Sequence, residues 1–215
     1  MNTFLIRSYR LSFPFLFLSI VLISSCSVRS VQIKRAKDYY QKGQVLVSRG
    51  EVDRAIVSFE KSIRIARAEN FREGIAHNLN EIAIIYTGKG EAAKARELLR
   101  EAVTIYKELD MKPEASKALD NIAKTYMKEQ QFKEAIDTYD ELIEWDKLSG
   151  NELGIGITRY NMALIYYHYL GMEEKAKECF IKALIILGHR TFVWVTPICC
   201  GHALMTWNAA GFLLG

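Results

Sequence analysis

Three stretches of this chain repeat one another at a fixed distance. They are LNEIAIIYTGKGEAAKARELLREAVTIY from Leu79, LDNIAKTYMKEQQFKEAIDTYDELIEW from Leu119, and YNMALIYYHYLGMEEKAKECFIKALII from Tyr160. Ala83, Ala123 and Ala163 fall 40 residues apart, and so do Tyr86, Tyr126 and Tyr166. Ala55, Ala95 and Ala135 keep the same spacing, while Ala176 comes one residue late after the longer turn YHYLGME. An earlier, more worn copy starts at Ala36, with Gly43 in place of the alanine and Leu46 in place of the tyrosine. A period of this size means that one small structural unit is stacked several times.

Each unit reads as two helices. Ala55, Ile56, Phe59, Ile63 and Ala66 recur at three- and four-residue spacing, the stripe of an amphipathic helix. Gly50, Gly88 to Gly90, Pro113, Gly150 and Gly171 break the pattern between helices. One helix pair cannot bury such a stripe alone, so neighbouring pairs must stack. Small alanines let the helices approach, and larger residues there would overpack by about 1–3 kcal/mol.

A small residue, an aromatic three later, a turn, then alanine and an aromatic or leucine four later: this resembles the tetratricopeptide repeat over residues 36–187. The resemblance implies an all-α, right-handed superhelical solenoid of about four helix pairs. The 40-residue period exceeds the usual 34. It is similar to a long-repeat subclass found in scaffolds and in sensor or regulator proteins. The extra residues are expected to lengthen the segments joining units, such as AENFREG and LSGNELG.

Residues 1–25 have a different character. Arg7 and Arg10 precede LSFPFLFLSIVLI, an uncharged run from Leu11 to Ile23. Thirteen residues are short for a span, since a bilayer core takes about 20. A basic start, a short apolar run and small residues describe a secretory signal peptide. ISSC resembles the lipobox of bacterial lipoproteins, with Cys26 as the lipidated first residue of the mature chain. An uncleaved anchor helix is the competing reading, against which the short run and Pro14 count. Under the lipoprotein reading residues 26–35 form a short tether, and Ser27 after the cysteine favours the outer membrane on the periplasmic side of the cell envelope.

In tetratricopeptide repeats the first helices of successive units line a concave groove where a peptide lies. That resemblance places Lys37, Tyr40, Asn80, Asn121, Lys124, Lys128, Tyr160 and Asn161 there, beside Gln44, Ile84, Asp120, Leu164 and Tyr167. Asparagine amides can grip an extended backbone as donor and acceptor. Lysines beside them suit a carboxylate or acidic segment. The competing reading makes the same residues ordinary solvated helix positions. Tyr86, Tyr126 and Tyr166 are expected in the stacking core.

Composition narrows the rest. Hydrophobic residues make up 50% and charged residues 25%, which is globular rather than disordered. Beyond residue 25 the chain holds 27 basic and 25 acidic residues, a total that gives no case for nucleic acid binding. No HExxH, GxSxG or Walker loop is present. His77, His168, His189 and His202 lie far apart, and adjacent Cys199 and Cys200 with His202 fit one tetrahedral ion poorly. Cys179 reads as a half-buried packing residue. No enzyme activity, cofactor or metal is expected.

Residues 188–215 hold one charged residue, Arg190, and two of the chain's three tryptophans. A covering apolar helix, a membrane segment and a truncated or frame-shifted reading frame compete, and the abrupt change in composition favours the last. An unfinished array would expose its final stripe at Phe180 and Leu184. The sequence thus points to a lipid-anchored, non-catalytic adaptor that binds a protein or peptide partner. The alternative is the extracytoplasmic input region of a truncated signalling protein, such as a histidine kinase or transcription regulator.

Overall fold

The computed structural model describes residues 12–188, with side chains from residue 28 onward. Eight α-helices follow one another: α1 (Ser12–Ser48), α2 (Val52–Ala68), α3 (Arg72–Lys89), α4 (Ala92–Glu108), α5 (Lys112–Lys128), α6 (Phe132–Ser149), α7 (Glu152–His168) and α8 (Glu173–Gly188). No strand occurs among the described residues. The first helix is continuous through residues 26–35, the expected tether. The expected signal segment and Cys26 lie outside the residues whose side chains are described, and residues 189–215 lie outside the described chain altogether. Among the described residues no helix is long and apolar enough to cross a membrane.

A single turn geometry generates the array. A left-handed residue recurs every twenty positions: Gly50, Asn70, Gly90, Asp110, Gln130 and Gly150, with φ between 51° and 82°. At each turn the following amide reaches back to a carbonyl five residues earlier, as in Glu51 to Leu46 at 2.9 Å and Phe71 to Ala66 at 2.8 Å. The same bond joins Glu91 to Tyr86, Met111 to Tyr106, Gln131 to Tyr126 and Asn151 to Asp146, each at 2.9 Å. This is the Schellman closure, which satisfies orphan carbonyls at a helix end. The next helix then starts within two residues.

The 40-residue period is therefore two equal halves of 20, and the joins are short. AENFREG leaves only Glu69 to Phe71 outside helices, and LSGNELG only Gly150 and Asn151. This corrects the sequence expectation: the residues beyond 34 lengthen the helices to 17 or 18 residues rather than the connectors. The one-residue slip before Ala176 lies in the turn, where Gly171 is left-handed at φ 62° and Met172 bonds to Tyr166.

Each helix packs mainly on its neighbours in sequence. Ala55, Ala95 and Ala135 are fully buried, as are Ala83, Ala123 and Ala163. Gly43 holds the alanine position in the first pair, and a Cβ there would fall on the ring of Phe59. Phe59 is fully buried, and its repeat counterparts are Leu99, Tyr139 and Phe180. In this first pair the Phe59 ring occupies the space that the alanine methyl would fill.

Polar residues are buried where they tie helices together. Ser58 and Ser62 of α2 donate to the carbonyls of Tyr39 and Ala36 in α1, at 3.0 and 2.7 Å. Buried Asp146 of α6 accepts from Ser116 of α5 at 2.5 Å and from Asn151, which caps α7, at 3.0 Å. One carboxylate so bridges three successive helices. At the far end, Cys179 is buried and burial raises its thiol pKa. Phe180 is half-buried against Tyr160, while Ile181, Leu184 and Ile185 of α8 are exposed.

Candidate partner-binding groove

The odd-numbered helices face one side of the array. α1 touches α3 and α3 touches α5 across units, whereas α2, α4 and α6 make no comparable contact with one another. Helices that converge on one side make that side the inner, concave one.

Cross-links on this inner face run at a spacing of 41 residues. Tyr40 Oη donates to Glu81 Oε1 at 3.3 Å, Asn121 Nδ2 to Asn80 Oδ1 at 3.2 Å, and Lys128 Nζ to the Thr87 carbonyl at 2.9 Å. Neighbouring odd helices are thus offset by one position from the 40-residue repeat. Asn80, one step out of line in sequence, is buried as the acceptor for Asn121. Lys124 is exposed and pairs with Asp120 at 2.5 Å. Asn161 bonds with the hydroxyl of Tyr139. Tyr160 meets Phe180 edge-on at 5.6 Å, so its ring is engaged with α8. Lys37 lies 5.4 Å above the Phe71 ring.

The inner face deepens between α1 and α3 into a hollow of about 240 Å³, lined among others by Lys37, Tyr40, Gln44, Phe71, Glu73 and His77. Gln44 donates to Tyr40 Oη at 3.0 Å. His77 Nδ1 lies 2.9 Å from Tyr106 Oη, and its Nε2 lies 3.5 Å from Glu73. Buried Asn78 also lines the hollow. Its amide nitrogen donates to the Gly74 carbonyl at 2.6 Å and to Ser62 at 3.0 Å, while its oxygen has no protein partner. Because Gly74 offers only an acceptor, the amide orientation is fixed.

The tyrosines here stay protonated. Burial, reinforced by Glu81, pushes Tyr40 up to about 12. Burial likewise raises Tyr106, with the neighbouring Tyr40 adding to it, and raises Tyr139 beside Asp120. Neutral hydroxyls donate and accept hydrogen bonds but do not serve as bases near neutral pH. The hollow therefore offers a cation, a carboxylate and aromatic faces, with the unpartnered Asn78 oxygen as an acceptor, a set suited to gripping a side chain. Among the described residues no group of three or more His, Cys, Asp and Glu is placed to hold a metal ion.

Phe71, Glu73 and His77 line the hollow without being among the groove residues that the sequence indicates. His77 occupies the repeat position of Lys37 and follows Glu73 by four residues, a signal that the register contained. Tyr86, Tyr126 and Tyr166 pack half-buried against the core as expected. Each also carries a cation over its ring: Lys94 at 3.9 Å, Arg96 at 4.4 Å and Lys175 at 5.6 Å.

Comparison with known proteins agrees with this architecture. Residues 36–108 match one tetratricopeptide-repeat model, and residues 116–147 and 158–184 match a second. Together they cover more than half of the chain, which belongs to the tetratricopeptide-repeat family. Repeats of this kind form extended concave surfaces that bind protein or peptide partners.

Solved structures with the same fold include BtubC (BKLC) from P. vanneervenii, at TM-score 0.63 and 17% identity over 79% of this chain and 70% of that one. Aspartyl phosphate phosphatase F from Bacillus subtilis aligns at TM-score 0.67 and 14% identity, over 74% of this chain. This chain spans only 41% of the phosphatase's length. The repeats of a putative kinesin light chain from Podosopora anserina align at 0.61 and 18%, over 74% of this chain and 78% of that one. No curated protein matches the chain in sequence.

Proposed function

We propose that this chain is a non-catalytic adaptor of the bacterial cell envelope, tethered through lipid on Cys26. Its groove, formed by α1, α3, α5 and α7, would hold a partner's peptide or helix. The hollow between α1 and α3 carries this reading, because it places Lys37, Tyr40 and His77 around one opening on the inner face. Asn121, Lys124, Lys128 and Asn161 extend the same face, and Lys128 and Asn121 would exchange present cross-links for contacts with the partner. The 40-residue repeat belongs, on this reading, to the long-repeat subclass used by scaffolds and regulators.

A photo-crosslinking residue placed at Gln44 or Lys124 should capture a partner, whereas one at Lys133 on α6 should not. Equal capture from both faces would sink the groove assignment. Labelling with a fatty-acid analogue, wild type against Cys26→Ala, tests the tether. A full-length N-terminus without label would remove it.

The exposed Ile181, Leu184 and Ile185 on α8 favour a second reading. An apolar stripe left open at the end of an array suits a chain that continues into further helices, as the input region of a signalling protein would. A downstream reading frame encoding a kinase or DNA-binding module would favour this over the adaptor.

A further inference from the structure

Charge is divided sharply along the array. Residues 28–68, the first helix pair, carry ten lysines and arginines against four acids, a formal +6. Residues 69–188 carry sixteen against twenty-one, a formal −5. Ion pairing follows the same division. Among the described residues, ten of the sixteen downstream cations sit in ion pairs. In the first helix pair only Arg54 and Arg67 do.

The repeat register identifies the face on which these cations gather. Arg35, Tyr39 and Lys42 of α1 stand where the next unit has Ile75, Leu79 and Ile82, all three buried. Two cations and a tyrosine so replace a core stripe, and both cations are exposed. Lys61 and Arg64 of α2 border the same surface. Two adjoining depressions of about 370 and 440 Å³ share Tyr39 and Lys61, forming one furrow along the α1–α2 seam. Asp53 and Glu69 also line it, but Asp53 is taken up by Lys89 of α3 at 2.5 Å. The free end of a solenoid requires only a polar surface. Here the charged α1 residues that line the furrow, Arg35 and Lys42, are both cations, and Asp38, at the repeat position of buried Asn78, does not line it.

We propose that this furrow rests on anionic lipid headgroups. Position favours lipid over an acidic protein, and this inference rests on the tether proposed above. Arg35 follows Cys26 by nine residues of continuous helix, a rise of about 14 Å. Val28 and Val31, both 60% exposed, precede Arg35 at helical spacing and extend the stripe toward the tether with apolar contacts. Phosphate-bearing headgroups at that surface meet unpaired cations, while the acidic downstream pairs are repelled. The tether would fix where the protein sits, and the furrow would fix which way the groove faces.

Vesicle co-sedimentation of the full chain tests this, comparing phosphatidylcholine alone with a mixture containing about a third phosphatidylglycerol. Each cation near an anionic surface contributes roughly fivefold in affinity, so Arg35→Gln/Lys42→Gln/Lys61→Gln should lose about 100-fold of the phosphatidylglycerol-dependent binding. Raising salt from about 0.1 to 0.5 M should erase most of that excess in the wild type. A control, Lys117→Gln/Lys133→Gln, should keep it, and circular dichroism should show all three proteins equally helical. Equal binding to both vesicle types would overturn the proposal, as would an anionic excess that survives the triple change. Capture of a polyglutamate peptide without any vesicle excess would also overturn it. Cys26→Ala separates the two ideas: it abolishes fatty-acid label if the tether is right, but leaves the phosphatidylglycerol excess measured on vesicles.

Discussion

The first helix pair and the three that follow share one register but differ in nearly everything the register leaves free. Downstream, surface cations are mostly held by acids, and alanine and tyrosine fill the repeated positions. In the first pair most cations lack an acidic partner, Gly43 replaces the alanine and Phe59 packs into its place. Positions that repeat specify how helices stack, and positions that break the repeat are where a solenoid acquires an end, a surface and a function.

Substitutions at matched positions put this contrast to the test. The largest effect should come from Phe59→Ala, since the ring is fully buried: roughly 3–5 kcal/mol lost in urea denaturation. Phe180→Ala at the equivalent place should cost about half as much, because that ring is only half-buried. Equal costs would mean that the last pair is covered as completely as the first. Gly43→Ala should destabilise by about 1–3 kcal/mol through overpacking on Phe59. Ala83→Gly at the matching site should cost only about 0.5–1 kcal/mol.

Turns offer a smaller test with opposite signs. Gln130 is left-handed at φ 58°, where its counterparts at 50 and 90 are glycine. Gln130→Gly should stabilise by about 1 kcal/mol and Gly90→Gln should destabilise by a similar amount, read as shifts in denaturation midpoint. The smallest effect concerns pH. Tyr40 is raised from an ordinary tyrosine value to about 12, so the folded state holds its proton more tightly than the unfolded chain. Its contribution is intact below about pH 10 and falls away as pH rises toward 12. Tyr40→Phe should flatten that part of the stability profile, and Glu81→Gln should lower the Tyr40 titration followed by ultraviolet absorbance.

Much of the fold was legible because stacking constrains the same residue types at each turn of the period. The connector lengths were not. Glycine and proline mark only some of the turns: Asn70 and Asp110 adopt the left-handed turn through side chains that tolerate it, and Gln130 gives no local signal at all. Long apparent joins thus dissolved into helix. The groove was legible in outline but not in its pairing. Asn121 and Asn161 are equivalent at the 40-residue repeat and Asn80 is one out of step, whereas packing offsets adjacent helices by one and joins Asn121 to Asn80. His77 lies far from the other histidines in sequence, and in the fold its ring is hydrogen-bonded with the Tyr106 hydroxyl.

The twenty-residue turn has a consequence for how such a chain can grow. From Gly50 to Asn151, turns within a pair and turns between pairs close with the same backbone bond, so that stretch makes no distinction between inside and outside a unit. Excising residues 71–110 would join Asn70 to Met111 across a turn of unchanged form, leaving a shorter array in register. Duplication could lengthen it in the same way. The interchangeable joint makes the number of units free to vary, while the odd first pair keeps its place at the end.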